Sequence, residues 1–200
     1  MRNTPVIVLD LETTGLSPYA SNITEIAAVK VQNGKQIDSF QTLVNPGEPI
    51  PRFITRLTGI TNEMVKDAPH IKKVLPKLKK FLGDHTIIAH NTGFDYNFLA
   101  HNFWTHSKQE FTNPKLCTAK LARRILSSLP SKRLGTLCEY YGINHQNAHR
   151  AMGDTLATFE LYQNMLAELE KHDISTREEV EHFERMTCGR AVIMFEERRK

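Results

Sequence analysis

The spacing of hydrophobic positions changes along the chain, and its first part has the pattern of strands. Residues 6–9 form a continuous apolar run, which predicts a buried strand. Residues 23–31 are rich in Ile, Ala and Val, and the Asn33-Gly34 dipeptide that follows them is a strong hairpin signal before residues 36–44. The chain is therefore predicted to open with three antiparallel strands.

Helical spacing dominates the later part. Apolar residues repeat every three or four positions in residues 71–82, in a segment that starts near Gly93, in residues 134–141 and in residues 156–169. Gly83 and Gly142 would end two of these helices, and Pro76 weakens the first. Short apolar runs at 86–89 and 116–118 predict two more strands. Strands that first run together and then alternate with helices predict an α/β fold with a mixed sheet, antiparallel on one side and parallel on the other.

The last thirty residues differ in character from the rest. Thr176 and Glu179 have the spacing of a capping box, which predicts the start of a charged helix. Residues 191–195 form a strand-like apolar run that could pair with a sheet edge or with another chain. We expect one domain over residues 1–170 and an extension of unknown role over residues 171–200.

Composition excludes several classes of protein. No apolar run approaches the ~18 residues that cross a bilayer, and the N-terminus does not resemble a signal peptide. The three cysteines are widely spaced without a C-x-x-C pair, so neither a disulfide framework nor a zinc site is indicated. A cytoplasmic protein without a membrane partner is expected.

The formal net charge of +4 is modest, but the basic residues are clustered. One cluster comprises Lys115, Lys120, Arg123, Arg124, Lys132 and Arg133, and a second comprises Lys66, Lys72, Lys73, Lys77, Lys79 and Lys80. Each cluster is equally compatible with a solvated helix face and with a surface for nucleic acid. Charge therefore permits a polyanionic partner and does not require one.

Acidic residues recur at the ends of predicted strands. Asp10 and Glu12 are two positions apart on a strand, so both carboxylates lie on one face. Asp95 and Asp154 would each lie in the first turn of a helix, where the helix dipole alone is enough to explain an acid. His149 taken alone is an ordinary loop histidine. Individually, each of these residues has a purely structural interpretation.

Taken together and in this order, the three segments resemble those of the DnaQ-like or DEDDh 3′→5′ exonucleases. The resemblance is carried by Asp10-x-Glu12-Thr-Thr-Gly, His90-Asn-x-x-Phe94-Asp95 and His149-x-x-x-x-Asp154, and it covers about residues 5–169. The family includes the proofreading (epsilon) subunits of bacterial DNA polymerase III. It implies a ribonuclease H-like fold with a five-stranded mixed sheet, and four acids that converge at one sheet edge.

The resemblance also implies a role for each motif residue. Asp10, Glu12, Asp95 and Asp154 would bind two divalent cations, and His149 would be the general base. Residues Thr13, Thr14, Gly15, Leu16, His90, Asn91 and Phe94 would hold the terminal nucleotide. Two carboxylates about 4 Å apart repel by roughly 4 kcal/mol at an effective dielectric of about 20, so four converging acids need cations. Ligands that are all oxygen favour Mg²⁺ or Mn²⁺.

As a mechanistic hypothesis, one ion held by Asp10, Glu12 and Asp154 activates a water molecule, and His149 accepts its proton. A second ion, held by Asp10 and reaching Asp95 largely through water, would stabilise the leaving 3′ oxygen. The product would be a 5′ mononucleotide.

Several alternatives remain open on the sequence. Another two-metal enzyme, such as an endonuclease of the ribonuclease H type or a nucleotide hydrolase, would use the same acids but is disfavoured by His149. A non-catalytic binding module is disfavoured because all five catalytic positions are filled. Nucleic acid with a 3′ end is the expected partner, with single-stranded or frayed DNA favoured over RNA, the substrate of RNA-trimming relatives. Residues 171–200 contain no recognisable clamp motif, so a polymerase partner and a homodimer are both undecided.

Overall fold

A five-stranded mixed sheet organises the chain in the computed structural model, which describes residues 4–145 and 148–197. Its strands are β1 (Val6–Thr13), β2 (Ile23–Gln32), β3 (Lys35–Leu43), β4 (Thr86–Ala89) and β5 (Lys115–Cys117). They lie in the order β3-β2-β1-β4-β5, with β1, β2 and β3 antiparallel and with β4 and β5 parallel to β1. The predicted order of three antiparallel strands and two parallel ones is confirmed.

Helices cover both faces of this sheet. They are α1 (Arg52–Thr58), α2 (Asn62–Val65), α3 (Ile71–Leu82), α4 (Gly93–Ser107), α5 (Thr118–Ile125), α6 (Leu134–Tyr141), α7 (Ala151–Glu170), α8 (Arg177–Arg185) and α9 (Cys188–Glu197). Periodicity predicted α3, α4, α6 and α7, and α3 continues through Pro76. It missed α1 and α2, whose seven and four residues are too few for an apolar repeat to stand out, and also α5, which at eight residues is as long as α6. No helix among the described residues is both long and apolar enough to cross a membrane.

Strand β1 is buried on both faces, which explains its continuous apolar run. Ile7 and Leu9 pack into the core under α3 and α4, and Val6 and Val8 pack into the core formed with α5, α6 and α7. Because side chains alternate along a strand, Asp10 and Glu12 continue the face of Val6 and Val8. They therefore emerge on the side of the sheet that α7 covers.

The C-terminal extension is helical, which corrects one expectation. The capping box at Thr176 and Glu179 is present and starts α8 as predicted. The strand predicted at residues 191–195 is wrong, because these residues lie in α9, with Ala191 and Phe195 buried and Ile193 exposed. A five-residue apolar run fits a strand or one side of a helix equally well, and here the i, i+4 pair faces the core. The expectation that this run pairs as a strand with a sheet edge is therefore wrong.

Two members of the first basic cluster attach the extension to α5. Arg124 is only 7% exposed and donates hydrogen bonds from its Nε and Nη2 atoms to the carbonyl oxygen of Met186. Lys120 forms an ion pair of 3.3 Å with Glu184 of α8. The interpretation of the whole cluster as a surface for nucleic acid is thus wrong for Arg124, whose guanidinium lies inside the fold.

We expect Arg124→Leu to destabilise the protein, because it leaves the carbonyl of Met186 without its donor. Loss of a buried hydrogen-bond partner costs about 1–3 kcal/mol. Urea denaturation followed by circular dichroism measures the change in the free energy of unfolding. Arg123→Leu, at the exposed neighbouring position, is the control and should cost much less. Equal losses in both variants would contradict the anchoring role of Arg124.

Candidate active site

Three carboxylates meet at the carboxyl end of β1. Asp10 and Glu12 come from the strand, and Asp154 comes from the first turn of α7, which packs across the same face. One oxygen atom from each lies within 4.8 Å of the others, close enough to share a metal ion. The alternation of β1 and the packing of α7 therefore bring together residues that are distant in sequence.

Asp95 reaches the same sheet edge from the opposite layer. It lies in the first turn of α4, which follows β4, the parallel neighbour of β1. Its side chain is 2% exposed, and its Oδ1 accepts a hydrogen bond of 3.1 Å from the main-chain N–H of Leu11, between Asp10 and Glu12. All four predicted acids thus lie at one edge, with Asp95 just outside the group of three.

Burial makes Asp10, Glu12 and Asp95 hard to ionise, and the charges of neighbouring acids add to this effect at Asp10 and Glu12. Burial, reinforced by the charges of Asp95, Asp154 and Glu12, raises the pKa of Asp10 well above its usual value. Burial, and then the charge of Asp154, raises the pKa of Glu12 to about 8, and burial raises the pKa of Asp95 to about 8. Acids that share a pocket and resist ionisation are suited to a cation. Since the donors are all carboxylate oxygens, the set fits hard divalent ions.

Two histidines of the loop before α7 lie beside the acids, and only one was predicted. His149 has an exposed side chain and a left-handed backbone with φ of 63°, and its main-chain N–H donates to Asp154 Oδ2 at 3.2 Å. The Nε2 atom of His145, in contrast, contacts Asp154 Oδ1 directly. Nothing in the motifs marks His145, whose only sequence signal is a second imidazole in the same loop.

The Thr-Thr-Gly turn is built from its own hydroxyl groups. Thr13 Oγ1 donates to the carbonyl of Gly15 at 2.6 Å, and Thr14 Oγ1 donates to Glu48 Oε1 at 2.9 Å. A Cβ atom at Gly15 would lie 2.6 Å from Ser21 Oγ, so any other residue here would require the Ser21 side chain to move. Leu16 projects from this turn and is 86% exposed. The two hydroxyls shape the turn, and Leu16 is the side chain that it presents to solvent.

His90 is used inside the protein, which the motif did not reveal. Its Nδ1 lies 2.9 Å from Thr118 Oγ1, and its Nε2 lies 2.9 Å from the carbonyl oxygen of Lys132, to which it donates. Burial lowers the pKa of His90, which favours the neutral ring. Both ring nitrogens thus have protein partners, while His90 also lines the cleft beside Asp154, so its role in holding the nucleotide stays a prediction. The histidine joins the end of β4 to the loop before α6.

The other two residues predicted to hold the nucleotide have different surroundings. Asn91 has a left-handed backbone with φ of 67° and lines the cleft beside the acids. Phe94 is half-buried and packs against Phe98, with ring centroids 4.9 Å apart. Asn91 is thus placed to meet a ligand, and Phe94 contributes at least part of its surface to the core.

An open cleft of about 990 Å³ lies in front of Asp154. Its lining also contains three basic residues, which we call the basic wall: Arg123, Lys132 and Arg133. Both histidines of the loop, His145 and His149, also line the cleft. A cleft that Asp154 and three cations line together suits a phosphodiester whose backbone contacts the basic wall while the acidic group binds the metal ions.

Comparisons with known proteins agree with this geometry. The model of the RNase_T exonuclease family matches residues 7–162. DNA polymerase III subunit epsilon of Aquifex aeolicus is 38% identical over 163 residues, which are 82% of this chain and 81% of that protein. DNA polymerase III PolC-type of Bacillus cereus is 40% identical over 163 residues, 82% of this chain but only 11% of that protein. The chain therefore spans about a tenth of the PolC-type relatives that it matches.

A solved structure shares the fold. Exonuclease X, in complex with 5′ overhanging duplex DNA, superposes with a TM-score of 0.69 and 27% identity, covering 95% of this chain and 99% of that one. The expected ribonuclease H-like fold is confirmed.

Without metal ions, stability should fall as pH rises. The pKa of Glu12 goes from 4.5 to about 8 on folding, and that of Asp95 from 3.8 to about 8. At pH values between the unfolded and folded pKa values, the folded state binds more protons than the unfolded state. The free energy of unfolding therefore decreases as pH rises through this range. We expect the Tm in EDTA to fall from pH 5.5 to pH 8.5, and to fall less in Glu12→Gln. An unchanged slope in that variant would contradict the assignment.

Proposed function

The chain belongs to the RNase_T exonuclease family, and we propose that it hydrolyses phosphodiester bonds stepwise from the 3′ end of nucleic acid and releases 5′ mononucleotides. The observation that carries the proposal is the group formed by Asp10, Glu12 and Asp154, with Asp95 beside it, at the cleft that Asp154 and the basic wall line together. Packing alone does not explain four acids that repel one another at a buried edge.

Two divalent cations, Mg²⁺ or Mn²⁺, are part of the proposal. Asp10, Glu12 and Asp154 would hold one ion, and Asp10 and Asp95 would hold the other. When bound, such ions supply the positive charge that activates water and stabilises a departing 3′ oxygen. The carboxylates orient these ions, and the basic wall binds the phosphates that follow along the strand.

His149 is proposed as the general base that accepts the proton of the attacking water. Its exposed ring lines the cleft, while its main-chain N–H holds the loop to Asp154. The left-handed backbone at a non-glycine residue is a conformation that needs such a restraint. His145 is the alternative within the same loop, because its ring already touches Asp154.

DNA is the favoured substrate. Two relatives carry the names of DNA polymerase III proteins, and exonuclease X was solved with DNA. A polymerase is accordingly one hypothesis for the partner, with a second copy of the chain as the other, and the cytoplasm is the proposed compartment. RNA trimming is the second candidate activity, since contacts between cations and phosphates do not distinguish the two backbones.

Replacement of the two histidines separates their roles. We expect His149→Ala to lower kcat by roughly two to four orders of magnitude, the contribution of a general base, while Mn²⁺ affinity is retained. His145→Ala is the matched control from the same loop and should lose much less activity. Single-turnover hydrolysis measures the activity of both variants, and calorimetric titration measures their Mn²⁺ affinity. A larger loss of activity in His145→Ala than in His149→Ala would assign the general base to His145.

Substrates labelled at the 5′ end decide the reaction class. We expect the protein to shorten single-stranded DNA and duplex DNA with a frayed 3′ end one nucleotide at a time in Mg²⁺ or Mn²⁺. It should not do so in EDTA or after Asp10→Asn. Internal cuts would identify an endonuclease, and binding without cleavage would identify a non-catalytic module. Matched RNA in parallel tests the preference for DNA, and faster loss of RNA would favour the trimming activity.

A further inference from the structure

We propose that Glu25 and Arg150 are positioning residues that set the place of Asp154 relative to Asp10 and Glu12, and through it the affinity of the site for divalent cations. The inference rests on the proposed function, since it concerns the same metal site. Neither residue is a specified position of the three motifs that the sequence analysis identified, although Arg150 lies between His149 and Asp154 of the third. We call the ion pair between them the clamp.

The clamp is a two-point hydrogen-bonded ion pair. Arg150 Nε donates to Glu25 Oε2 at 3.1 Å, and Arg150 Nη2 donates to Glu25 Oε1 at 3.0 Å. The side chain of Glu25 is 1% exposed, whereas that of Arg150 is 39% exposed. Two parallel N–H···O bonds fix direction as well as distance, which the single ammonium group of a lysine cannot do.

Glu25 also caps the helix that carries Asp154. Arg150 occupies the N-cap position of α7 but makes no capping bond with its own side chain. Glu25 Oε2 accepts the main-chain N–H of Ala151 at 3.2 Å, so a residue of β2 satisfies one of the free donors at the start of α7. Asp154 lies one turn further along, and its N–H donates to the carbonyl of Arg150 at 3.0 Å. The clamp thus fixes the turn in which Asp154 lies.

The other end of the clamp is joined to the strand ligands. Glu25 lies directly opposite Glu12 in the antiparallel register of β1 and β2, so the two side chains are neighbours on one face. The carboxylate of Glu25 accepts four hydrogen bonds, the fourth from Gln41 Nε2 at 3.1 Å. Since its partners are all protein donors, Glu25 serves as a support for the ligands and lies outside their group.

Charge explains why the support is an ion pair. Burial raises the pKa of Glu25, but hydrogen bonds from Arg150, Gln41 and Ala151 outweigh it, and the pKa is lowered overall. An ionised Glu25 next to Glu12 adds to the repulsion among the acids, and Arg150 opposes that repulsion from the same position. The clamp therefore ties α7 to β2 with the charge of Glu25 already paired.

The experiment measures Mn²⁺ affinity by calorimetry without substrate, alongside unfolding in urea and hydrolysis of single-stranded DNA. The test variants are Arg150→Lys, which keeps the charge but not the two-point geometry, and Glu25→Gln. The matched control is Gln41→Ala. Gln41 lies on β3 and donates to Glu25 Oε1, the oxygen that also accepts from Arg150 Nη2, so this variant removes a hydrogen bond from Glu25 without changing a residue of α7. Arg150 is partly exposed, so Arg150→Lys remains informative even where Glu25→Gln fails to fold.

We expect Arg150→Lys and Glu25→Gln to weaken Mn²⁺ binding by about 10–100-fold, the range seen when residues that support metal ligands are replaced. Raised Mn²⁺ should restore much of kcat in Arg150→Lys, while Gln41→Ala should bind Mn²⁺ like the wild type. Normal Mn²⁺ affinity in Arg150→Lys overturns the proposal, as does an equal loss of affinity in Gln41→Ala. If the wild type binds Mn²⁺ and degrades DNA while Arg150→Lys keeps normal Mn²⁺ affinity, the clamp proposal fails and the proposed function stands. Failure of the wild type to bind Mn²⁺ overturns the proposed function as well.

Discussion

The packing of α7 against β1 is the contact on which the site depends. It buries one face of the strand and, at the strand's carboxyl end, brings Asp154 to Asp10 and Glu12. The same apolar contacts that stabilise the domain therefore hold together groups that repel one another. A loss of packing in this layer would move Asp154 away from Asp10 and Glu12, because Asp154 is carried by α7.

Groups of the protein itself, as well as bound cations, reduce the electrostatic repulsion among the acids of the site. Asp95 and Asp154 lie in the first turns of α4 and α7, where the positive end of the helix dipole favours a negative charge. Asp95 also accepts a main-chain hydrogen bond from β1. Arg150 lies beside the extra acid, Glu25, that the register places next to Glu12. These contacts lower the cost of an acidic site without supplying the positive charge that metal ions would bring.

The basic residues of the first cluster are divided between the C-terminal extension and the cleft. Arg124 and Lys120 attach the C-terminal helices to α5, whereas Arg123, Lys132 and Arg133 face the cleft. Adjacent positions in sequence thus have opposite roles, because α5 turns one side to α8 and α9 and the other to the cleft. Within residues 171–197, α8 and α9 pack against α5, the helix that carries Arg123.

By itself, the sequence determined the order of the strands, most of the long helices and the residues that form the acidic group. The alternation that aligns Asp10 with Glu12 is local, whereas the convergence of the four acids was predicted from the resemblance of the three motifs to a known family. Tertiary structure alone decided that residues 191–195 are helical, that Arg124 points inward, that both ring nitrogens of His90 have protein partners, and that His145 and Glu25 lie in or beside the site. The physical reason is that the environment of a polar side chain depends on which distant element packs against it, and spacing along the chain carries no record of that partner.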